Sequence, residues 1–109
     1  MSMSSKYMRL LVMFDLPVVK AKDRRAAAKF RQYLLGEGYV MMQYSVYYRI
    51  VNGYDMSKKY ELRLDDNLPE KGSVRLLVIT EKQFDEMRLL VGDPLPNEEK
   101  VDSGQMTTF

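Results

Sequence analysis

The sequence predicts an α+β fold with two helices on one face of an antiparallel sheet. Short apolar runs of strand length alternate with two stretches of helical periodicity, in the order β-α-β-β-α-β. Glycine, proline and asparagine stand at the boundaries between these segments, where turns need them. The chain has 109 residues, 46% of them hydrophobic and 29% charged, which is the composition of a single globular domain.

The first strand is predicted over residues 7–14, an apolar run that ends at Asp15 and the proline two residues later. The first helix is predicted over residues 22–36, where glycine is available to end it. Its apolar side chains recur at helical spacing, at Ala27, Phe30 and Leu34.

Residues 39–51 are rich in aromatic and β-branched side chains but are too many for one ordinary strand. They predict two antiparallel strands divided near Gln43 and Tyr44. A second helix follows an Asn-Gly turn, and Asp55 or Ser57 is expected to cap it. The predicted inward face of this helix consists of Met56, Tyr60 and Leu64.

The last strand of the core is predicted over residues 73–79. Thr80 and Gln83 then have the spacing of a capping box, which predicts a short turn of helix. Residues 87–91 are apolar and predict an extra short C-terminal strand.

This order of elements defines the ferredoxin-like fold, which we expect over residues 1–92. Residues 93–109 are dominated by Gly, Pro, Asn, Glu and Ser. They carry four acids against one lysine, so we expect an acidic flexible tail there.

Both faces of the predicted sheet are apolar. In the first strand Leu10 and Leu11 point to opposite faces, and in the last strand Leu76 and Leu77 do the same. Two helices cover only one face, so the other face needs a cover from outside the fold. We expect a homodimer packed sheet face to sheet face. The alternatives are that central strands tolerate extra apolar residues or that the tail folds back over them.

The chain has no cysteine and no histidine. These absences exclude disulfides, thiolate zinc sites, imidazole bases and catalysis by Ser-His-Asp or Cys-His. Hydrolytic chemistry would have to use carboxylates with an oxygen-seeking cation, or Lys, Tyr and Ser without imidazole. No apolar run is as long as a transmembrane helix and no secretory signal is visible, so we expect a cytoplasmic protein that does not bind membranes.

The net charge of +2 hides a strongly basic segment in the first predicted helix. Residues 20–31 carry one acid and six bases, which are Lys20, Lys22, Arg24, Arg25, Lys29 and Arg31. Lys22, Arg25 and Lys29 form a stripe away from the apolar side, and Arg24 and Arg31 flank it. These five residues are the predicted contacts to the phosphates of a nucleic acid. The alternative is that this run is simply a solvated helix face.

Asp15 is the one acid at the end of a central apolar strand. An Asp in front of Leu-Pro commonly forms an Asx-turn or caps the next element, which is the structural interpretation. One carboxylate is also a poor site for a divalent cation, which takes several oxygen ligands. In a homodimer, however, the two Asp15 side chains could approach the twofold axis and share one cation over a phosphodiester.

The sequence contains eight tyrosines, and Tyr44, Tyr47 and Tyr48 lie close together in the predicted hairpin. Aromatic side chains on a sheet can stack on the bases of a single strand. The favoured interpretation is that these rings pack in the core or at an interface, because the stretch lacks the RNP signature of such platforms.

Several segments resemble the CRISPR-associated protein 2 family, the small subunit of the spacer-acquisition machinery, over most of residues 6–92. They are the strand ending in FDLP at residues 14–17, the basic helix, the stretch QYSVYYRI at residues 43–50 and the late strand VRLLVITEKQF. The last of these, together with KFRQYLLGEGY, is most similar to the members that accompany type II systems.

The resemblance implies a ferredoxin-like homodimer in which Asp15 is the metal-binding and catalytic acid, with Mg²⁺ or Mn²⁺ as cofactor. It places Phe14 and Ser45 beside this site, and Arg24 and Arg25 in the region of the family's basic residues. The family is assigned metal-dependent endonuclease activity on RNA or double-stranded DNA. It is also described as a structural dimer that holds duplex DNA and bridges two dimers of the integrase, CRISPR-associated protein 1. The acidic tail would then be an integrase-docking segment.

Three hypotheses of function remain open at this point. The first is a scaffold that holds duplex DNA along its basic helices while the integrase inserts the spacer. The second is a Mg²⁺- or Mn²⁺-dependent phosphodiesterase with Asp15 from both chains. The third is a regulatory ferredoxin-like domain that binds a small metabolite at its dimer edge, which no Gly-rich ligand loop supports.

Overall fold

The computed structural model describes residues 6–93, and in it strands and helices alternate in the predicted order. The elements are β1 (Tyr7–Asp15), α1 (Ala21–Gly36), β2 (Val40–Gln43), β3 (Val46–Asn52), α2 (Tyr54–Asp65), β4 (Ser73–Thr80) and α3 (Glu81–Asp85). The strands form one antiparallel sheet in the order β2-β3-β1-β4. Because β3 lies between β1 and β2, the sheet has the split βαβ arrangement of the ferredoxin-like fold, which confirms the predicted fold class.

Helices α1 and α2 both pack on one face of the sheet, hereafter the helix face. The core between them and the sheet consists of Leu10, Val12, Phe14, Phe30, Leu34, Tyr39, Tyr47, Val51 and Leu64. Burying one large apolar side chain contributes about 1.5–3 kcal/mol, so this layer supplies most of the drive for folding. None of the helices within residues 6–93 is long and apolar enough to cross a bilayer.

The hairpin of β2 and β3 divides where the sequence predicts. β2 ends at Gln43 and β3 begins at Val46. Ser45, in the turn between them, has a φ of 65°, a left-handed conformation that is uncommon for a residue other than glycine. Its carbonyl oxygen accepts a 3.0 Å hydrogen bond from the backbone amide of Phe14. The turn is therefore attached to the end of β1.

Helix α2 begins differently from the expectation. Neither Asp55 nor Ser57 caps it, because Gly53 is the N-cap residue and no side chain bonds there. Gly53 has a φ of 99°, which favours glycine. Ser57 is buried inside the helix, where its hydroxyl donates a 2.7 Å hydrogen bond to the Glu61 carboxylate. The predicted inward face of α2 is confirmed, because its three residues pack in or against the core, namely Met56, Tyr60 and Leu64.

The capping box that the sequence predicts is present at the start of α3. The backbone amide of Gln83 donates to the Thr80 hydroxyl at 3.1 Å, and the Thr80 amide donates to the Gln83 side chain at 2.9 Å. This helix folds onto the face of the sheet opposite α1 and α2, hereafter the open face. The chain therefore covers part of the face that was expected to need a cover from outside.

Four side chains hold α3 on the open face. The guanidinium of Arg9 lies 3.7 Å from the centre of the Phe84 ring and 4.7 Å from that of Tyr48. It also donates two hydrogen bonds to the Glu81 carboxylate, at 2.6 and 3.0 Å. The two rings are in contact, with centroids 5.3 Å apart. This cluster covers the end of β1 that lies away from Asp15.

The extra C-terminal strand expected over residues 87–91 is not formed in this chain. A strand needs a partner edge, and α3 turns the chain from the end of β4 onto the open face, so the segment does not run beside β4. Its apolar side chains are exposed, and Val91 reaches 89%. The tail expected over residues 93–109 lies, apart from Asp93, outside the described residues.

Candidate acidic site and nucleic-acid interface

Asp15 is the last residue of β1, at the end of the sheet where the β2–β3 turn and the start of β4 also lie. It stands opposite Ser73 in the register of β1 and β4. Its side chain is exposed and forms no hydrogen bond or ion pair with any residue between 6 and 93. The Asx-turn of the structural interpretation is therefore not formed, and the carboxylate is free to bind a ligand.

Gly72 fixes the backbone at Asp15. It has a φ of 92°, and a Cβ added there would lie 2.6 Å from the Asp15 carbonyl oxygen and 2.8 Å from Cδ2 of Leu16. Only glycine accepts both this conformation and this close approach. The loop before β4 therefore holds Asp15 from one side, and Ser45 holds its neighbour Phe14 from the other side.

Phe14, expected beside the site, is a core residue. Its ring lies on the helix face, 5.2 Å from Phe30 in a T-shaped contact and 5.7 Å from Tyr47 in a stacked one. Successive residues of a strand point to opposite faces. Packing of Phe14 against the helices therefore directs Asp15 toward the open face.

The part of the chain that the structure describes offers few ligands for a divalent cation at Asp15. Within the described residues, no group of three or more acidic side chains could hold a metal ion. Mg²⁺ is usually bound by one or two carboxylates together with waters and phosphate oxygens. Within residues 6–93 of one copy, a cation at Asp15 would have a single carboxylate ligand and would need its other oxygens from water, phosphate or groups outside these residues.

The basic side chains of α1 are distributed around its solvent side. At 100° per residue, Arg25 points directly away from the core, with Lys22 and Lys29 on one flank and Arg24 and Arg31 on the other. All five are exposed except Arg31, which is half-buried. The predicted stripe of Lys22, Arg25 and Lys29 is therefore present on the surface. Lys20, the N-cap residue of α1, is exposed as well.

Arg24 and Arg25, which the sequence alone does not distinguish, have different surroundings. Nη1 of Arg24 donates hydrogen bonds to the carbonyl oxygens of Val18 and Val19, at 3.2 and 2.7 Å. This side chain fastens the connection between β1 and α1. Arg25 forms no such bond with a described residue. Its guanidinium is therefore free for an external anion, and Arg24 is a positioning residue.

Lys22 and Lys29 also line a groove of about 380 Å³ between α1 and the loop that joins α2 to β4. Lys71 lines the groove from the loop side, where its Nζ lies 3.9 Å from the Asp23 carboxylate. Asp66 and Glu70 bring the number of acids in its lining to three. Because the groove mixes both signs of charge, the outer stripe of α1 is the surface that suits a polyanion.

The three tyrosines considered as a stacking platform separate into two kinds. Tyr47 and Tyr48 are buried, one on each face of the sheet, which confirms that they pack in the interior. Tyr44 is 88% exposed at the tip of the β2–β3 turn. Of the three, only Tyr44 can meet a base without unfolding the sheet.

Sequence reasoning missed two residues near Asp15. Arg75 is exposed on the open face, opposite Met13 in the register of β1 and β4. The signal for it was the alternation along β4, because Val74 packs against the core and its neighbour must point the other way. Gly72 had no comparable signal, since its contact with Asp15 joins distant parts of the chain.

The fold and the site together define a small ferredoxin-like protein with a free carboxylate at the end of its central strand and a basic helix that follows this strand in the chain. The model of the family described as CRISPR associated protein Cas2 matches residues 8–87. The chain belongs to this family, as the resemblance implied.

Curated relatives agree with this assignment. The chain is 57% identical over 102 residues to the CRISPR-associated endoribonuclease Cas2 of Acidovorax ebreus, a match that covers 94% of this chain and 100% of that protein. It is 44% identical over 104 residues to the protein of the same name from Campylobacter jejuni, covering 95% of this chain and 73% of the relative. The Streptococcus mutans protein of that name is 43% identical over 86 residues, 79% of each chain.

Proposed function

We propose that this chain acts in the cytoplasm as a homodimer that binds duplex DNA during spacer acquisition and bridges dimers of the integrase, CRISPR-associated protein 1. The observation that carries the proposal is the presence, on one small chain, of a partly bare apolar sheet face and a free cationic stripe on α1. Membership of the Cas2 family supports the CRISPR context.

The open face supports the dimer. Its Arg9 end is covered by α3, but toward Asp15 the described residues leave it bare, and Leu77 is 50% exposed there. Met13, the diagonal neighbour of Leu77 on β1, is only partly buried, and so is Val46, which stands opposite Met13 on β3. A second copy packed on this half of the face brings two Asp15 carboxylates toward the twofold axis.

The free edge of β4 supports a second contact in the same dimer. Leu76 and Val78 are 36% and 38% exposed although they point to the helix face, because the helices do not reach across to this strand. A bare aliphatic edge is a liability that proteins cover. We infer that residues 87–91 of one copy pair with β4 of the other, where they provide the strand that a single chain does not form.

The cationic stripe supports duplex DNA as the ligand. With the sheets facing each other, the two α1 helices lie on the outside of the dimer, and each presents Lys22, Arg25 and Lys29 to solvent. Contacts of this kind go to backbone phosphates, so the binding is tolerant of sequence and strongly weakened by salt.

A triple substitution of Lys22, Arg25 and Lys29 by Ala tests the proposal. We expect weaker duplex binding and a salt dependence shallower by about 0.9 for each phosphate that is no longer neutralised. The control replaces Lys58 and Lys59 of α2 by Ala, which removes two charges outside the stripe, and the effects of the two variants are compared per charge removed. If the triple variant binds duplex DNA with the same affinity and salt dependence as the parent, the DNA-binding role is wrong. A sedimentation measurement that finds a monomer at micromolar concentration would contradict the dimer.

Integrase bridging is tested separately by co-purification with the integrase of the same CRISPR locus and by a spacer-integration assay with Asp15→Ala. Full integration by Asp15→Ala supports a scaffold that needs no catalytic acid. Failure of the parent protein to co-purify with the integrase would contradict the bridging role.

A second candidate is a Mg²⁺- or Mn²⁺-dependent endonuclease on RNA or double-stranded DNA. The free, exposed carboxylate of Asp15 favours it, and the names of the relatives point the same way. Two copies of Asp15 would hold the cation, which would supply an activated water and neutralise charge on the phosphate. Gly72 and Ser45 would keep the carboxylates in place. If purified Asp15→Asn cleaves as fast as the parent, this candidate is wrong.

The third hypothesis, a regulatory domain that binds a small metabolite at its dimer edge, gains no support from the family or from the relatives described above.

A further inference from the structure

Arg75 lies on the same face and at the same end of the sheet as Asp15. Val74 packs against the core, so Arg75 points to the open face. The register places Asp15 opposite Ser73 and Met13 opposite Arg75. Diagonal neighbours of this kind on one face of an antiparallel pair are about 7–8 Å apart, which is within reach of an arginine side chain.

The guanidinium of Arg75 has no partner among the described residues. It is exposed and forms no hydrogen bond or ion pair there. Arg9 and Arg49, also on the sheet, each donate by contrast at least two hydrogen bonds to carboxylate, carbonyl or hydroxyl oxygens. Arg75 stands instead beside the apolar Met13 and Leu77.

An arginine in such a position needs an anion once a second copy covers the face, because an unpaired charge buried at an apolar interface is strongly unfavourable. Two Asp15 carboxylates and one divalent cation would neutralise each other and leave both Arg75 groups without an anion. A phosphodiester at the same place supplies that charge, and the planar guanidinium matches two phosphate oxygens at once.

We propose that Arg75 binds a backbone phosphate of duplex DNA at the Asp15 end of the open face. The inference rests on the proposed function and extends its DNA contacts from α1 to β4. The competing anion within reach is Asp15 of the same or the other copy, which would make Arg75 half of an ion pair at the dimer interface.

The test compares Arg75→Gln and Arg75→Lys with the full-length parent. The control, Lys58→Gln, removes one charge from α2, which begins just after Asn52 at the far end of the sheet from Asp15. Binding of a labelled duplex is measured over a series of salt concentrations, with Ca²⁺ present. We expect Arg75→Gln to bind about tenfold more weakly, with a salt dependence shallower by about 0.9 for each phosphate that is no longer neutralised. Arg75→Lys should keep most of the salt dependence because it keeps the charge.

The outcomes separate this inference from the proposed function. If the parent itself binds no duplex, the proposed function fails and the inference fails with it. If the parent binds and Arg75→Gln binds equally well, only the inference is overturned. Sedimentation without DNA settles the remaining alternative. A dimer that is unchanged or stronger in Arg75→Gln supports the phosphate contact, because without DNA the arginine has no anion at the interface. A weakened dimer assigns Arg75 to an interface ion pair and overturns the proposal.

Discussion

The backbone amide of Phe14 donates a 3.0 Å hydrogen bond to the carbonyl oxygen of Ser45, which holds a φ of 65°. A left-handed conformation costs a non-glycine residue about 1–2 kcal/mol. That strain is offset by the surrounding sheet and fixes the end of β1, directly before Asp15. The conformation of the turn and the position of the acid are therefore coupled.

Two substitutions of Ser45 distinguish the effect of its backbone conformation on stability from the effect of its hydroxyl. We expect Ser45→Gly to change the free energy of unfolding by less than about 0.5 kcal/mol, because glycine adopts a positive φ readily. Ser45→Val should lower it by about 1–3 kcal/mol, since a β-branched residue resists this conformation. Urea unfolding of both variants measures the difference. Equal decreases would show that the hydroxyl, rather than the backbone conformation, matters here.

Gly72→Ala tests the close approach to Asp15. We expect a decrease of about 2–4 kcal/mol in the free energy of unfolding, because the new Cβ would meet the Asp15 carbonyl at a forbidden distance in addition to the strain of a positive φ. Gly53→Ala is the matched control, with a φ of 99° but no atom within 4 Å of the added Cβ. Urea unfolding should show the smaller decrease for Gly53→Ala. Equal decreases would mean that the contact with Asp15 adds nothing.

Substitution of Arg24 should lower stability, whereas substitution of Arg25 should weaken duplex binding. Arg24→Ala removes two hydrogen bonds to the β1–α1 connection, so we expect a decrease of about 1 kcal/mol in stability. Arg25→Ala removes no such contact, so we expect stability within about 0.5 kcal/mol of the parent and weaker duplex binding. Thermal unfolding and duplex titration of both variants decide the matter. A stable Arg24→Ala beside an unstable Arg25→Ala would reverse the assigned roles.

The attachment of α3 to the open face depends on the Arg9–Glu81 pair. We expect Glu81→Gln to speed amide hydrogen exchange in α3 by about tenfold while the exchange of β1 stays slow, because only α3 loses an anchor. The amides of Glu86 and Met87, which bond to carbonyl oxygens of Lys82 and Phe84, report on it. Lys82→Gln on the same helix serves as the control. Unchanged exchange in Glu81→Gln would show that the stack of Arg9 with the aromatic rings suffices.

Acid should weaken the fold through Glu37. Hydrogen bonds from the Arg63 guanidinium hold the pKa of the Glu37 carboxyl below its ordinary value of 4.5. A carboxyl with a lowered pKa in the folded state adds stability above its unfolded pKa and loses it as pH falls through the folded value. The difference in unfolding free energy between the parent and Glu37→Gln should therefore be constant near neutral pH and change below about pH 4.5. Urea unfolding as a function of pH measures it, and a difference independent of pH would contradict the assignment.

The main elements could be predicted because their signals are local. The apolar run closed by Pro17 marks β1, and the spacing of Phe30 and Leu34 marks α1. The start of α2 could not be predicted, because Asp55 and Ser57 both satisfy the rule for a cap and only the course of the chain selects Gly53. Residues 87–91 have the pattern of a strand, but a strand also needs a partner, and none of the strands within residues 6–93 pairs with them.

Within the site, Asp15 could be predicted because it ends an apolar strand. The residues that lie near Asp15 in the fold could not be predicted. Arg75 and Gly72 come near Asp15 only because β4 pairs with β1, which no local pattern specifies. The cover supplied by α3 depends on Arg9 and Glu81, which are 72 positions apart in the chain.

The uncovered edge of β4 has a consequence for how the protein must be handled. Within residues 6–93 this edge is unpaired, so an isolated copy can add a strand of another molecule there, and conditions that separate the proposed dimer also favour aggregation. In the proposed dimer, folding and self-association form one linked equilibrium, and the melting temperature should rise with protein concentration.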